Sequence, residues 1–366
     1  MPPHHRATTS HRTPRANRSA PSAGNVAENS GGAHCLKYGF TTNHIMSIDM
    51  VTPDGDLVQL GDWAPDSPGY DLLGVVVGSE GTLGVTTSVT VRLVRSPEEV
   101  RTLLVGFEST DAAGAATSAI IGSGIVPAAI EMMDALAIEA AEAAVHCDYP
   151  NGAGAVLVVE LDGPSAEVEH EFGEVERLCN DNGAFEIRVA TEAAERALMW
   201  KGRKSAFAAV GRISPDYIVQ DGVIPRTALP KVLRAIETLS RESGVRVANV
   251  FHAGDGNLHP LVLFDESVDG QAERAEEVSG AIIDLCIEHG GSITGEHGVG
   301  VDKAKHMPKM FTDDDLDTMQ LVRCAFDPGG IANPGKIFPT PRLCGEVPRK
   351  RKGTHPLHDD EVAEIF

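Results

Sequence analysis

Two histidines and one Glu-His pair carry the most chemical information in this sequence. His252 and His259 flank Gly254-Asp255-Gly256, between the apolar runs 247–251 and 260–264. A helix through these residues would hold Gly254, Gly256 and Pro260 at high cost, so the segment reads as a hairpin. Asp-Gly favours a two-residue type I′ turn, which predicts His252 opposite His259, Ala253 opposite Leu258 and Gly254 opposite Asn257. Side chains opposed in this way stand about 4.5–5.5 Å apart at Cβ, within reach of one ion.

Glu296 and His297 lie in Gly290-Gly-Ser-Ile-Thr-Gly-Glu-His-Gly-Val-Gly300, which is too rich in glycine for a helix interior and reads as a loop presenting its side chains. His252, His259 and Glu296 together form a ligand set suited to zinc, manganese or iron(II), with positions left open for substrate. His297, left off the metal, has the ordinary pKa of about 6.5 that suits a general base near neutrality. A dication acidifies an oxygen bound to it. Two chemistries therefore stay open at this point, hydrolysis by water or oxidation of an alcohol, and the second needs a hydride acceptor.

Gly78-Ser-Glu-Gly-Thr-Leu-Gly84 offers a place for one. It follows the apolar run 72–77, read as a buried strand, and its glycines let backbone approach a flat or phosphorylated ligand closely. It lacks the Gly-Lys-Ser/Thr ending of a Walker loop and the Gly-x-Gly-x-x-Gly spacing of a dinucleotide fold.

These residues need a scaffold, and the length of 366 residues supports two domains. Residues 24–95 read as strand-rich, with a boundary near Ser96-Pro97. Beyond it, strands near 100–107, 129–133, 155–161, 185–189 and 217–224 alternate with helices ending near 121, 145, 180, 210 and 242. Such alternation fits either a parallel doubly wound sheet or an antiparallel sheet with helices on one face, and the hairpin favours the second. Thr312-Asp-Asp-Asp315 reads as a capping box for a last helix to about 325.

The net charge of −22 disfavours nucleic acid and anionic membrane as partners, and makes an anionic substrate depend on a local basic patch. No apolar run approaches the ~20 residues of a membrane span. The six cysteines, at 35, 147, 179, 286, 324 and 344, form no Cys-x-x-Cys pair and read as reduced, mostly buried thiols.

Several segments together resemble one family. They are Gly24-Asn-Val-Ala-Glu-Asn-Ser-Gly-Gly32, Cys35-Leu-Lys-Tyr-Gly39, Gly78-Ser-Glu-Gly-Thr-Leu-Gly-Val85, Trp200-Lys-Gly-Arg-Lys204, Val210-Gly-Arg-Ile-Ser-Pro-Asp-Tyr217, the histidine hairpin, Gly295-Glu-His-Gly298 and Asn333-Pro-Gly-Lys336. The family is the flavin-dependent D-2-hydroxy-acid dehydrogenases of the vanillyl-alcohol oxidase fold, and within it the chain is most similar to FAD-binding subunits of bacterial glycolate oxidases. The resemblance covers roughly residues 24–366 in unbroken order.

The resemblance implies oxidation of a small 2-hydroxy acid, glycolate or D-lactate, with hydride passing from Cα to N5 of FAD. It implies that His252, His259 and Glu296 hold the divalent metal, that His297 is the base, and that Arg203 clamps the substrate carboxylate. Asn25, Gly31, Gly32, Gly39, Gly78, Ser79, Glu80, Gly81, Gly84, Val85 and Asn333 would contact the flavin. A second flavin subunit and an iron–sulfur subunit are the implied partners, in the cytoplasm or peripherally at the inner membrane through those partners.

The fold class expected is α+β. A partial FAD-binding domain of the vanillyl-alcohol oxidase type (24–95) is followed by an antiparallel-sheet substrate or cap domain with helices on one face and the metal site (96–310), then a C-terminal helix and tail returning to the flavin domain (311–366). Residues 1–23 are basic, free of acidic residues and without apolar period, and read as a disordered tail. The family's Gly-Gly-Gly-Thr loop for the FAD pyrophosphate has no counterpart here, which predicts weak FAD retention by this chain and makes a catalytically impaired truncated remnant, or a complex subunit lacking that loop, the alternative reading. A metal hydrolase is disfavoured, because segments 24–39 and 78–85 would then have no purpose.

Overall fold

The computed structural model describes residues 22–64, 69–339 and 344. The expected disordered tail lies outside the described residues except for Ser22 and Ala23, which open a helix. The first elements are α1 (Ser22–Glu28), α2 (Cys35–Tyr38), β1 (Ile45–Val51), β2 (Leu57–Gly61), α3 (Leu72–Val76) and β3 (Val85–Val91). The strands form an antiparallel sheet in the order β2-β1-β3, and its inner face buries Ile48 and Met50 against Val26, Val76 and Leu83.

The apolar run at 72–77, expected as a strand, is instead the short helix α3. Asp71 caps it by accepting a hydrogen bond from the Gly74 amide at 2.9 Å. A short apolar run has no period to separate helix from strand, and here the cap decides.

The second unit runs β4 (Glu99–Phe107), α4 (Thr110–Gly122), β5 (Ala129–Asp134), α5 (Ala135–Val145), β6 (Ala155–Gly163), α6 (Ser165–Asp181), β7 (Ala184–Val189), α7 (Ala193–Val210), β8 (Asp216–Val219), β9 (Gly222–Val223), α8 (Leu229–Ser243), β10 (Val247–His252), β11 (Asn257–Leu258), β12 (Pro260–Phe264) and α9 (Gln271–Glu288). After it come α10 (Met307–Met310) and α11 (Asp313–Phe326). The α11 helix starts at the expected capping box, where Asp315 accepts from the Thr312 amide at 2.9 Å and Thr312 Oγ1 accepts from the Asp315 amide at 3.3 Å.

All pairings in the large sheet are antiparallel, in the order β7-β4-β6-β5-β10, then β11 and β12 with β9 and β8 outside them. Period-two alternation splits its side chains into two sets. Leu103, Val105, Leu157, Val159, Phe251 and Val262 pack under α4, α6, α8 and α9. The alternate residues Leu104, Val156, Val158, Val250 and Leu261 meet α5 and α7. The expectation of helices on one face thus holds for four of them, while α5 and α7 cover part of the other face. By the same alternation Glu131, Glu160, His252 and His259 fall on this second face, in the stretch beside α7.

Cys324 and Cys344 are joined in a disulfide, so the expectation of six reduced thiols is corrected. The partner comes from a tail that folds back 20 residues later, which no local cysteine spacing announces. Cys35, Cys147, Cys179 and Cys286 are buried free thiols; burial pushes Cys147 up to about 11 and both Cys179 and Cys286 up to about 12, which keeps them unreactive.

Candidate active site

The histidine hairpin forms, with a different register from the expected one. His252 pairs with Asn257, and Asn249 with Pro260, so four residues rather than two make the turn. Gly256 has φ of 80°, but Asp255 lacks the positive φ that a type I′ turn needs at both central positions. The Asp255 carboxylate instead accepts from the Asn257 amide at 3.1 Å. The slip is by two residues, and a slip of two keeps each side chain on its face where a slip of one would invert it. His252 and His259 therefore still share a face as diagonal neighbours, with ring centroids 5.1 Å apart.

Glu296 completes the group. Its Oε1 lies 3.2 Å from His252 Nε2 and 3.0 Å from His259 Nε2. Ligands held tetrahedrally at about 2.0–2.1 Å stand roughly 3.3 Å from one another; both carboxylate–imidazole separations match that spacing, and all three donor atoms lie within 4.8 Å of one another, close enough to share one dication. The remaining ring nitrogens are fixed as well: His252 Nδ1 donates to Glu131 Oε1 at 2.7 Å and His259 Nδ1 to the Gln220 carbonyl at 3.3 Å. Such outer partners turn Nε2 toward a metal. Burial alone would raise the Glu296 carboxyl, yet hydrogen bonds from His252 and His259 hold it well below its ordinary range. Burial disfavours a charged His252, but the Glu131 carboxylate overrides this and raises its pKa well above the usual value.

The Thr294–His297 loop is shaped by Asp221, which is fully buried at the β8–β9 break. Its carboxylate accepts from Thr294 Oγ1 and from the amides of Gly295, Glu296 and His297 at 2.7–3.1 Å, while Lys303 Nζ donates to its carbonyl at 3.1 Å. His297 then stacks on His259, centroids 4.9 Å apart and planes 16° apart, with Nε2 3.9 Å from Glu296 Oε1. Burial, opposed by Asp221 and reinforced by the neighbouring His259, lowers the pKa of His297.

Arg203 is 5% exposed on α7, not on a solvated helix face. It pairs with Glu131 Oε2 at 2.6 Å and lines a cavity of about 480 Å³ with Gly32, Glu131, Trp200, Lys204 and His252.

The expected flavin residues largely converge on the same region. The Gly78 and Glu80 amides donate to the Val26 and Ala27 carbonyls at 2.8 Å, tying the two glycine segments together beside Asn25 and Ser79. Glu80, with φ of 53°, accepts from the Val299 and Gly300 amides at 2.6 and 2.7 Å, and the Asn333 side-chain amide donates to its carbonyl. Burial and the adjacent Glu80 push Glu28 up to about 7. A Cβ at Gly31 would stand 2.5 Å from Glu296 Oε2, and one at Gly81 would touch Asn333. Gly32 has φ of 144° and open space where a side chain would go. Two residues stand apart: Gly39 packs on Asn43, and Val85 is 64% exposed on β3 beside Gly84, whose Cβ would crowd the Val51 carbonyl.

Sequence reasoning missed Glu131 and Asp221. The signal was a carboxylate inside the apolar strand Ala129-Ile-Glu-Met-Met133 and another after Ile218-Val-Gln220, since acidic residues are almost never fully buried unless paired.

Residues 96–337 match the family model described as "FAD linked oxidases, C-terminal domain". The chain belongs to the FAD-linked oxidases. This FAD-linked oxidase chain is 52% identical over 323 residues to glycolate oxidase subunit GlcD of Escherichia coli (strain K12), a match over 88% of the chain and 65% of that relative. It is 30% identical to the mitochondrial D-lactate dehydrogenase [cytochrome] of Arabidopsis thaliana, over 88% of the chain and 57% of the relative. The chain thus spans somewhat less than two thirds of the length of these relatives.

Among solved structures, 4-ethylphenol oxidase from Gulosibacter chungangensis, in complex with isoeugenol, superposes with a TM-score of 0.69 at 16% identity, covering 87% of this chain and 70% of that one. The likeness establishes the vanillyl-alcohol oxidase type of fold. Among the described residues, no helix is long and apolar enough to cross a membrane.

Proposed function

We propose that this FAD-linked oxidase chain takes part in oxidation of a small 2-hydroxy acid, glycolate or D-lactate, to the 2-oxo acid, with metal assistance and onward electron transfer to partner subunits. The observation that carries the reading is the meeting of His252 Nε2, His259 Nε2 and Glu296 Oε1 beside His297 and the Arg203 cavity. The donor set fits zinc, manganese or iron(II), and the bare backbone at Gly32 fits a flat ring against the cavity wall. When bound, the dication would supply the Lewis acidity that lowers the pKa of a neighbouring hydroxyl, and FAD would supply the two-electron acceptor that the oxidation needs. Asn25, Gly31, Gly32, Gly39, the 78–85 segment and Asn333 are the proposed flavin contacts.

The chain's own residues do the rest. Arg203 presents a planar fork that matches a carboxylate better than an ammonium does. His297, its pKa lowered, stays unprotonated near neutrality and takes the hydroxyl proton at a ring nitrogen. Names of relatives support a subunit assembly, for which a second flavin subunit and an iron–sulfur subunit are the proposed companions, with any membrane association made through them.

Anaerobic flavin reduction by glycolate and by D-lactate tests the reading. Arg203→Lys is expected to weaken the hydroxy-acid interaction by about 10–100-fold, the range for hydrogen bonds to a charged group. Reduction by neither acid, with FAD and Zn²⁺ supplied, would reject the proposal.

One observation favours a second reading, in which these 366 residues by themselves hold FAD weakly. Leu57 on β2 is 69% exposed and Val85 on β3 64%, and the two flank Val51 of β1 as uncovered apolar side chains of the small sheet. Dialysis of the purified chain is expected to remove added FAD. Stoichiometric flavin absorbance surviving dialysis would refute this second reading.

A further inference from the structure

We propose that Glu131 is a positioning residue that joins the metal half of the site to its carboxylate half. One oxygen would keep His252 in the tautomer that presents Nε2, and the other would hold the Arg203 guanidinium where it can receive the substrate. The inference rests on the metal and carboxylate roles proposed above.

Glu131 stands in the middle of β5, paired with Val158 of β6 on one side and His252 of β10 on the other. It is 1% exposed and flanked by Ile130 and Met132, which point into the apolar core beneath the sheet. A carboxylate in such a place is costly unless its charge is answered. The side chain answers it with both oxygens, Oε1 at 2.7 Å from His252 Nδ1 and Oε2 at 2.6 Å from Arg203. A methionine, like its neighbours Met132 and Met133, would fill the volume without that cost. What the carboxylate adds is a fixed relation between a histidine on β10 and an arginine on α7, each paired to one of its oxygens. Shift α7 relative to β5, and both the ring and the guanidinium lose their reference point.

Two substitutions separate the oxygens. Glu131→Gln keeps a carbonyl oxygen able to accept from His252 Nδ1 and removes the charge that pairs with Arg203. Glu131→Met removes both functions at similar volume. Dissociation constants for Zn²⁺ and for glycolate, measured by calorimetry on the full chain, read the two halves independently. In Glu131→Gln the glycolate constant is expected to rise about tenfold, with that for Zn²⁺ changing roughly threefold or less. In Glu131→Met both constants are expected to rise, Zn²⁺ by about 10–100-fold, the range for outer partners of metal-ligating histidines.

A role confined to packing would lower the melting temperature and leave both constants at wild-type values in the folded variants. That result overturns the proposal. If Glu131→Met does not fold, an unchanged glycolate constant in Glu131→Gln overturns it just as well. Failure of wild-type chain to bind Zn²⁺ would sink the metal reading instead, and the glycolate constants would still decide the Arg203 half.

Discussion

In the His297→Asn variant, flavin reduction by the hydroxy acid is expected to slow by about 10²–10⁴-fold, the usual contribution of a positioned general base. Binding of the acid and of Zn²⁺ should stay within a few-fold of wild type. The separation follows from how the loop is built: Asp221 holds it through the His297 amide at 2.9 Å, which asparagine retains, so the loop keeps its course while the ring is lost. Glu296 keeps its contacts with His252 and His259, since neither runs through His297. Because burial lowers the His297 pKa, the wild-type rate should rise with pH along a limb lying below the ordinary value of about 6.5, and that limb should vanish in the variant. Stopped-flow reduction across pH measures both. A variant rate close to wild type would remove His297 from the chemistry and leave the proton to another group.

The sequence made the shared face of His252 and His259 legible, because any even register across a hairpin gives it. The register was less legible. Asp255-Gly256 suggested a two-residue turn, but Asp255 uses its side chain on the Asn257 amide and the turn opens to four residues. Arg203 was legible through family resemblance alone. Its helix gives no sign that the guanidinium turns inward, since the partner, Glu131, lies 72 positions earlier on a strand. Asp221 shows the same limit: the strand expected at 217–224 breaks where that residue turns to collect three amides from a loop about 75 positions later. Local patterning reports which face a residue occupies. It does not report which distant donor will satisfy a buried charge.

The largest equilibrium effect is expected from His259→Ala, which should weaken Zn²⁺ binding by more than about 100-fold, beyond the 10–100-fold typical of losing an outer partner. His259 contributes one of three donor atoms and is nearly inaccessible to solvent. Its loss leaves His252 and Glu296, two donors that already attract each other at 3.2 Å. It also takes away the ring on which His297 stacks, so the variant should lose flavin reduction even at saturating metal, and added Zn²⁺ should restore little.

The pH dependence in wild-type chain has a definite sign. Glu131 and Glu296 raise the pKa of His252 and so favour its protonated form, and a metal must displace that proton from Nε2 before it can bind. Zn²⁺ affinity should therefore climb as pH rises through the His252 transition, with proton release seen as buffer-dependent heat in calorimetry. Affinity that is flat with pH, or a His259→Ala variant that binds Zn²⁺ like wild type, would mean that the ion is held elsewhere and that the three converging side chains form a hydrogen-bonded cluster.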